Sequence, residues 1–402
     1  MINLETPRKF RAFVNQAHQV AAEMLRPNSR RYDLAEHEYP VELDMLAAMV
    51  DGLGASGTGS GAGASGVRRT ADAGEGVVNG SNLSSVLSIM EMCWGDVGLL
   101  LSMPRQGLGN SAIASVASEE QLRRFDGVWA AMAITEPGCG SDSASIRTTA
   151  RLDGDSYVLD GEKIFVTAGE RCDAVVVWAT LDRSLGRAAI KSFVVMKDTP
   201  GLTVERLDHK LGIRASDTAT IRLENCRVPR SNLLGSPDIE ADKGFAGVMQ
   251  TFDNTRPLVA AMAVGCARAS LELTRSLLAE AGVEVDYDHP VHLQPAAAAS
   301  YLAMEAEWEA AYLLTLQAAW MADNGQPNSL QASMAKAKAG RTANDITLRC
   351  IELTSTLGYS EHELLEKWSR DSKILDIFEG TQQIQQLIIA RRLLGKTSAE
   401  LK

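Results

Sequence analysis

The periodicity of hydrophobic and polar positions differs between regions of this chain. In the first 50 residues, apolar side chains such as Phe10, Val14 and Ala17 recur every three or four positions, which predicts amphipathic helix. Helical spacing returns before residue 130, where Ser118 and Gln121 stand three residues apart, as in a capping box. The N-terminal third is therefore expected to be helical.

The middle of the chain has the pattern of β-strands. Between residues 131 and 235, short β-branched runs are separated by polar turns. Asp160-Gly161 stands between two apolar runs, which is a strong signal for a hairpin. Parallel strands need helical crossovers, and this stretch shows none, so we expect an antiparallel sandwich or barrel.

The last third of the chain is again helical. Four long amphipathic segments are expected near residues 243–281, 295–324, 328–357 and 370–394, which favours an up-and-down bundle. The fold class is therefore mainly α with a β middle domain. We predict an N-terminal helical domain (1–130), a middle β-domain (131–240) and a C-terminal four-helix bundle (241–402).

A glycine-rich stretch interrupts the N-terminal helices. Residues 52–80 hold 10 of the 33 glycines and few large apolar residues, which predicts a flexible loop. The pattern GxGxxG occurs there twice, at 52–57 and 61–66. A dinucleotide site needs a strand before this pattern and a helix after it, whereas the preceding residues have helical spacing. No nucleotide site is assigned to this stretch.

Composition narrows the classes of function. Forty Lys and Arg against fifty-one Asp and Glu give a net charge of −11 over 402 residues, which argues against nucleic-acid binding. The six cysteines form no CxxC pair, so we expect free, mostly buried thiols and no metal site. No run of about 18 apolar residues and no signal-peptide core is found, so we expect a cytoplasmic protein without membrane insertion.

Three polar segments are candidates for chemistry, and each also has a structural explanation. Residues 131–150 gather glycines and hydroxyls that could approach a ligand, or they form a polar turn between domains. Phe165 and Thr167 share a strand face and could flank a planar ring, or they belong to a sandwich core. Glu379, among apolar residues, could be a base with a raised pKa or a helix-start residue.

Taken together, these segments resemble the acyl-CoA dehydrogenase family. ITEPGCGSD (134–142) resembles the family's first signature, TEPxAGSD, and LDGEKIFVTAG (159–169) resembles its NGxKxWITNG strand. Residues 209–235 look like its KxGxRxSDT…VPxxNxLG segment, and residues 252–272 look like the first long helix of its C-terminal bundle. RDSKILDIFEGTQQIQ (370–385) resembles the second signature, with its EGT. The matches follow the family's order from residue 35 to residue 395.

The resemblance implies FAD and a thioester of coenzyme A. In this family's chemistry a base removes the proton next to the thioester carbonyl, and a hydride passes to the flavin, which gives a trans-2-enoyl-CoA. The resemblance implies that Glu379 is the base and that its backbone N–H helps to hold the thioester oxygen. The flavin positions carried over are Met132, Ile134, Thr135, Gly140, Ser141, Phe165, Thr167, Thr381 and Gln383. The substrate positions carried over are Ser141, Asp253, Arg256 and Gly380.

The family has two known places for its catalytic base. Some members carry it on the first helix of the bundle, and the matching residue here is Thr255. A threonine hydroxyl cannot serve as the base, which supports Glu379.

Two family elements that a neighbouring subunit lends to the flavin are altered. The replacements are Glu284, Tyr287 and Asp288 in the Arg-x-x-Phe-Gly element, and Glu352, Ser355 and Thr356 for a Gln and two glycines. A carboxylate near the flavin pyrophosphate would repel it. We therefore expect a tetramer, and favour the α2β2 kind of certain actinobacterial members, in which a paralogous subunit lends these contacts. A homotetramer with rearranged contacts is the alternative.

The electron acceptor is also implied only by resemblance. For a dehydrogenase of this family the expected oxidant, and therefore the expected partner, is an electron-transferring flavoprotein. The alternatives are an acyl-CoA oxidase on the same fold and a weakly flavinated, non-catalytic partner subunit. The residues do not determine the length or branching of the acyl chain.

Overall fold

The N-terminal region is helical, as its pattern predicts. The structure is a computed structural model that describes residues 7–55, 80–104, 108–239, 246–397 and 400–401, with the backbone alone at 49–55 and 246–254. The helices are α1 (Arg8–Val20), α2 (Ser29–Ala35), α3 (Glu42–Ala55), α4 (Ser81–Gly95), α5 (Val97–Leu101), α6 (Leu108–Val116) and α7 (Glu119–Arg124). The capping box at the start of α7 is confirmed, because Ser118 and Gln121 exchange both hydrogen bonds.

The expected glycine-rich loop begins later than predicted. Helix α3 continues to Ala55, so residues 52–55 are helical and that part of the prediction is wrong. Extending an existing helix costs much less free energy than starting one. Helix α3, which is stabilised by its apolar face, can therefore continue through Gly52 and Gly54. The rest of the stretch up to residue 79, including the second GxGxxG, lies outside the described residues.

The middle of the chain forms one connected sheet, and the predicted fold class is confirmed. Its strands within the described residues are β1 (Ala130–Ala133), β2 (Thr149–Asp153), β3 (Ser156–Thr167), β4 (Ala174–Thr180), β5 (Ile190–Met196), β6 (Leu202–Leu207), β7 (Thr218–Pro229) and β8 (Leu233–Leu234). Their order is β6-β7-β3-β2-β4-β5-β8, with β1 beside β4. The β1–β4 pair is parallel, unlike our antiparallel expectation. The β2–β3 hairpin lies between β1 and β4 in the chain and provides the long connection that parallel pairing needs.

The predicted hairpin at Asp160-Gly161 is wrong. Strand β3 runs through both residues, and its register against β7 shifts between Leu159 and Gly161. The real turn between β2 and β3 is at Gly154-Asp155, where Gly154 has a φ of +63°. Glycine is needed at 161 for packing, because a Cβ there would lie 2.4 Å from the Oγ1 of Thr148.

The C-terminal helices pack around one apolar core. They are α8 (Ala246–Glu280), α9 (Ala296–Asp323), α10 (Ser329–Thr354), α11 (Thr356–Tyr359), α12 (Leu365–Leu375) and α13 (Gln382–Leu394). The single segment expected near 370–394 is therefore two helices, α12 and α13. Glu379 and Gly380 both have positive φ, which breaks the helix, and the side chain of Thr381 caps α13. The chain turns sharply at the Glu379-Gly380-Thr381 sequence.

A buried charge network ties the three regions together. Lys367 on α12 places its Nζ 2.6 Å from Asp96 and 2.5 Å from Asp371, and all three side chains are buried. Asp371 also accepts the backbone N–H of Ile213, which lies in the loop between β6 and β7. Although burial acts against it, the two aspartates raise the pKa of Lys367 above its ordinary value. The cation therefore stays charged and joins the N-terminal helices to the bundle.

Helix α8 contains a long apolar segment. Among the described residues, Thr255–Glu280 has the length and composition that could cross a membrane, which the search for long apolar runs missed. In this structure 72% of its most apolar window is buried. It packs against α4, α9 and α10 as the central helix of the core.

Candidate active site

A buried ion pair fixes the loop that follows β1. The Oε1 of Glu136 lies 2.7 Å from the Nζ of Lys163, and these side chains are 6% and 0% exposed. Glu136 also accepts the backbone N–H groups of Arg147 and Thr148, at 2.6 and 2.9 Å, and Lys163 donates to the carbonyl of Ile134 at 3.1 Å. Although burial acts in the other direction, Lys163 lowers the pKa of Glu136 below its usual value. The pair holds the loop at both of its ends.

The β-domain residues carried over as flavin contacts lie on two adjacent backbone segments. Ile164 donates its N–H to the carbonyl of Thr135 at 2.9 Å, which places the end of β1 beside β3. Phe165 is 63% exposed, whereas Val166 is buried and Thr167 is partly exposed. Phe165 and Thr167 therefore lie on the side of β3 that faces away from the core.

The backbone at Phe165 is unusual. Its φ of +57° is in the left-handed region, which a bulky residue rarely adopts. Such strain persists only where surrounding structure holds it, and it clusters at ligand sites. The neighbouring flavin positions are accessible to different degrees: Met132 and Ile134 are partly buried, and Gly140 and Ser141 are exposed.

Glu379 lies in a left-handed turn at the surface of the bundle core. Its φ is +57°, and its carboxylate accepts the hydroxyl of Thr255 at 2.7 Å. Burial raises the pKa of Glu379 above its usual value, while Thr255, Arg256 and Lys336 act in the opposite direction. The geometry presents a carboxylate whose basicity is increased and which still has a hydrogen-bond donor.

Two buried side chains hold the turn from below. Gln385 donates its Nε2 to the carbonyls of Glu379 and Gly380, both at 3.1 Å, and Lys336 donates to Gly380 at 2.7 Å. Gly380 has a φ of +94°, and a Cβ there would lie 2.4 Å from Gln385. Sequence reasoning missed both residues: Gln385 ends the matched segment 370–385 but was given no role there, and Lys336 stands in no motif.

The remaining predicted positions fall around this turn. Arg256 is buried and Gln383 is exposed, whereas the side chain of Asp253 lies outside the described residues. Thr381 uses its hydroxyl to accept the N–H of Ile384 at 3.4 Å. Among the described site residues, no hydrogen bond joins the β-domain set to the Glu379 set. A ligand that contacts both sets would have to bridge them.

The two altered family elements have ordinary surface partners. Tyr287 is exposed and donates its hydroxyl to Glu305 at 3.1 Å, and Glu352 pairs with Arg349. Ser355, where the family has glycine, has a φ of +51°. The backbone at Ser355 therefore has a conformation that glycine adopts more readily than serine.

Two domain models of one family match the chain. The acyl-CoA dehydrogenase middle domain matches residues 131–226, and the acyl-CoA dehydrogenase C-terminal domain matches residues 242–394. Together they cover more than half of the sequence. The chain belongs to the acyl-CoA dehydrogenase family.

Curated relatives agree with this assignment. The mitochondrial short-chain specific acyl-CoA dehydrogenase of Bos taurus is 39% identical over 262 residues, which are 65% of this chain and 62% of that protein. The match thus spans less than two thirds of that relative. A probable acyl-CoA dehydrogenase of Bacillus subtilis is 34% identical over 78% of this chain and 83% of its own length.

Solved structures share the fold over nearly the whole chain. The butyryl-CoA dehydrogenase of Megasphaera elsdenii is 27% identical with a TM-score of 0.82, covering 98% of this chain and 100% of that one. A glutaryl-CoA dehydrogenase of Mycobacterium smegmatis in complex with FADH2 is 26% identical with a TM-score of 0.80, covering 98% of this chain and 96% of that one.

Proposed function

We propose that this chain catalyses the α,β-dehydrogenation of an acyl-CoA thioester to a trans-2-enoyl-CoA, with Glu379 as the base that takes the α-proton. The observation that carries the proposal is the Glu379 carboxylate in its left-handed turn, 2.7 Å from the hydroxyl of Thr255. Burial raises its pKa, and a stronger base is suited to removing a weakly acidic proton.

The residues of the β-domain fit FAD. Phe165 offers an exposed aromatic face for a flat ring system, and Ser141 offers an exposed hydroxyl. Gly140 leaves room for close approach, because a Cβ there would meet only Thr135, at 3.8 Å. We propose that FAD is held by Met132, Ile134, Thr135, Gly140, Ser141, Phe165 and Thr167, and from the bundle side by Thr381 and Gln383. When bound, FAD supplies the hydride acceptor.

The chain itself prepares the substrate for proton removal. The N–H of Glu379 has no partner among the described residues, so it can donate to the thioester oxygen on which charge develops. We propose that Ser141, Asp253, Arg256 and Gly380 line the path of the coenzyme A thioester. Glu379 is partly buried, and its carboxylate accepts the hydroxyl of Thr255, which holds it in place as the proposed base.

The substrate class and the partners are part of the same proposal. Short acyl-CoA thioesters are the first candidates, since the relatives are named for short-chain, butyryl and glutaryl substrates. The proposed oxidant is an electron-transferring flavoprotein, and slow reoxidation in air distinguishes it from the oxidase alternative. A cytoplasmic location stays a prediction.

A tetramer with a paralogous subunit is also proposed. Its support is the loss of two flavin elements of the kind that a neighbour lends, with Ser355 in a conformation that glycine adopts more readily. Flavin stoichiometry tests it: about one FAD per chain in protein purified alone favours a self-sufficient homotetramer. Little or no FAD favours the heteromer or a non-catalytic role, and expression with the paralogue then separates these two.

Replacing the proposed base tests the reaction. Glu379→Gln keeps the shape of the side chain but cannot accept the proton, so kcat should fall by roughly 10²–10⁴-fold. Glu361→Gln, at an exposed position, is the matched control and should leave kcat unchanged. If the Glu379→Gln variant keeps its turnover, the assignment of Glu379 as the base is refuted. A FAD-saturated wild type that oxidises no acyl-CoA, with or without its paralogue, would refute the function.

A further inference from the structure

A lysine that the proposed mechanism does not use lies directly beneath the catalytic turn. Lys336 on α10 is fully buried, and its Nζ donates to the carbonyl of Gly380 at 2.7 Å. Within the described part of the chain, no carboxylate lies at ion-pair distance from this ammonium. A buried ammonium without a close counter-charge is costly, so its place in the fold needs an explanation.

The packing of α10 explains how the lysine reaches the turn. Its buried face is built from small residues: Ala332, Ala335, Ala339, Gly340 and Ala343. A Cβ at Gly340 would lie 2.8 Å from the carbonyl of Leu375, so the helix lies against the end of α12. One turn earlier on the same helix, Lys336 is the long side chain that reaches the turn.

The carbonyl that Lys336 binds belongs to a strained backbone. Glu379 and Gly380 both have positive φ, and for glutamate this conformation must be held by its surroundings. The Gly380 carbonyl has only two described donors, Lys336 and the side chain of Gln385. The direction of the Glu379 carboxylate depends on this turn.

The charges around the lysine also act on Glu379. Asp376 from the end of α12, Glu379 from the turn and Arg256 from α8 are the charged groups that affect Lys336. Burial lowers the pKa of Lys336 to about 8, so most of it is protonated at neutral pH. Burial raises the pKa of Glu379, while Thr255, Arg256 and, with a smaller effect than these two, Lys336 lower it.

We propose that Lys336 is a positioning residue, whose ammonium fixes the left-handed Glu379-Gly380 turn and favours the carboxylate form of Glu379. This inference rests on the proposed function, because it assigns the lysine a role through the base. It makes Lys336 part of how the chain directs the Glu379 carboxylate and offsets the effect of burial on it.

The test uses the full-length protein with three substitutions. Lys336→Met removes the charge and the donor with little change of length, and Lys336→Arg keeps both. Lys338→Met is the matched control, since Lys338 is two residues along the same helix and pairs with Glu307 near the surface. The protonated-carboxyl infrared band that Glu379→Gln abolishes is titrated with pH in each protein without substrate. Steady-state kinetics follow on the FAD-loaded enzyme.

Lys336→Met should move the midpoint of the Glu379 infrared titration upward, because a nearby positive charge that favours the carboxylate is removed. Its kcat should fall roughly 10- to 100-fold with a much smaller change in KM, because a misdirected base slows the proton step more than binding. Lys336→Arg should partly restore the infrared midpoint and kcat, and Lys338→Met should change neither the midpoint nor kcat. A midpoint unchanged in folded Lys336→Met, or moved equally by Lys338→Met, would overturn the proposal.

A second variant and a measurement that needs no activity allow the proposal to be tested even if Lys336→Met does not fold or the wild type is inactive. If Lys336→Met does not fold, Lys336→Gln keeps an N–H donor without the charge and is put through the same infrared titration, where an unmoved midpoint counts against the role. The titration needs neither substrate nor turnover. A wild type without acyl-CoA activity would therefore refute the proposed function, while the effect of Lys336 on Glu379 is still measured.

Discussion

Replacing Lys163 with Met removes the cation that faces Glu136 inside the β-domain, with little change in volume. Glu136 then stays 6% exposed without a counter-charge, but keeps its two backbone donors, from Arg147 and Thr148. Removing one partner of a buried pair typically costs 3–5 kcal/mol, and the remaining donors favour the low end, about 3 kcal/mol. For 402 residues the entropy of unfolding is on the order of 0.8 kcal/mol/K, so Tm should fall by about 4 °C.

The pH dependence of this loss has a definite sign. In the wild type the pKa of Glu136 is below its ordinary value of 4.5, so its stabilising effect is present above that value and is lost as pH falls through the folded pKa. Without Lys163, burial still raises the pKa of Glu136, and only the hydrogen bonds from Arg147 and Thr148 act in the opposite direction. The difference in Tm between the wild type and Lys163→Met should therefore become smaller as the pH falls below about 4.5.

Calorimetry over a pH series measures this, and FAD retention is followed in parallel. Lys163→Met should also weaken FAD binding, because the pair holds the loop that carries Thr135 and Ser141. Lys191→Met, on β5 and nearer the surface, is the control and should cost less than about 1 kcal/mol. The double variant with Glu136→Gln should cost less than the sum of the singles. Additive losses, or a Tm gap that does not narrow in acid, would refute the reasoning.

Three further changes test other parts of the structure. Thr255→Val removes the donor that lowers the pKa of Glu379, so the acid limb of kcat/KM, where activity is lost as the base is protonated, should move to higher pH; an unmoved limb contradicts the assignment. Lys367→Met leaves two buried aspartates without their cation and should lower the free energy of unfolding in urea by about 3–5 kcal/mol, unlike exposed Lys396→Met. Ser118→Ala removes the α7 cap and should cost about 1 kcal/mol in thermal unfolding with activity unchanged.

The order of helices, sheet and helices could be predicted because it depends on local periodicity. The capping box at Ser118 was equally local and was confirmed. The hairpin predicted at Asp160-Gly161 was wrong. Asp-Gly forms a turn only where the backbone can adopt the φ angles of a turn and the following strand pairs with the preceding one, whereas here β3 continues through both residues beside β7. There the glycine makes room for Thr148, which is 13 residues away in the chain, so a local pattern cannot show this contact.

The site could be predicted only in part, for a similar reason. Glu379 and the β-domain loop stand in motifs, so the sequence directed attention to them. Lys336 stands in no motif, and Gln385 ends the matched segment 370–385 without a role of its own. Both act through contacts that only the folded bundle creates. Lys163 did carry a signal, since a lysine between Glu162 and apolar Ile164 in a strand pattern suggests a buried charge with a partner.

The apolar character of helix α8 has a consequence for how the protein is made. Thr255–Glu280 has the composition of a segment that could enter a bilayer, and its partner α10 ends 74 residues later, at Thr354. At common rates of translation, about 4–15 s pass between the synthesis of the two. For that time this apolar segment lacks α10, the helix that packs against it most extensively, so the nascent chain should depend on chaperones between the completion of α8 and that of α10.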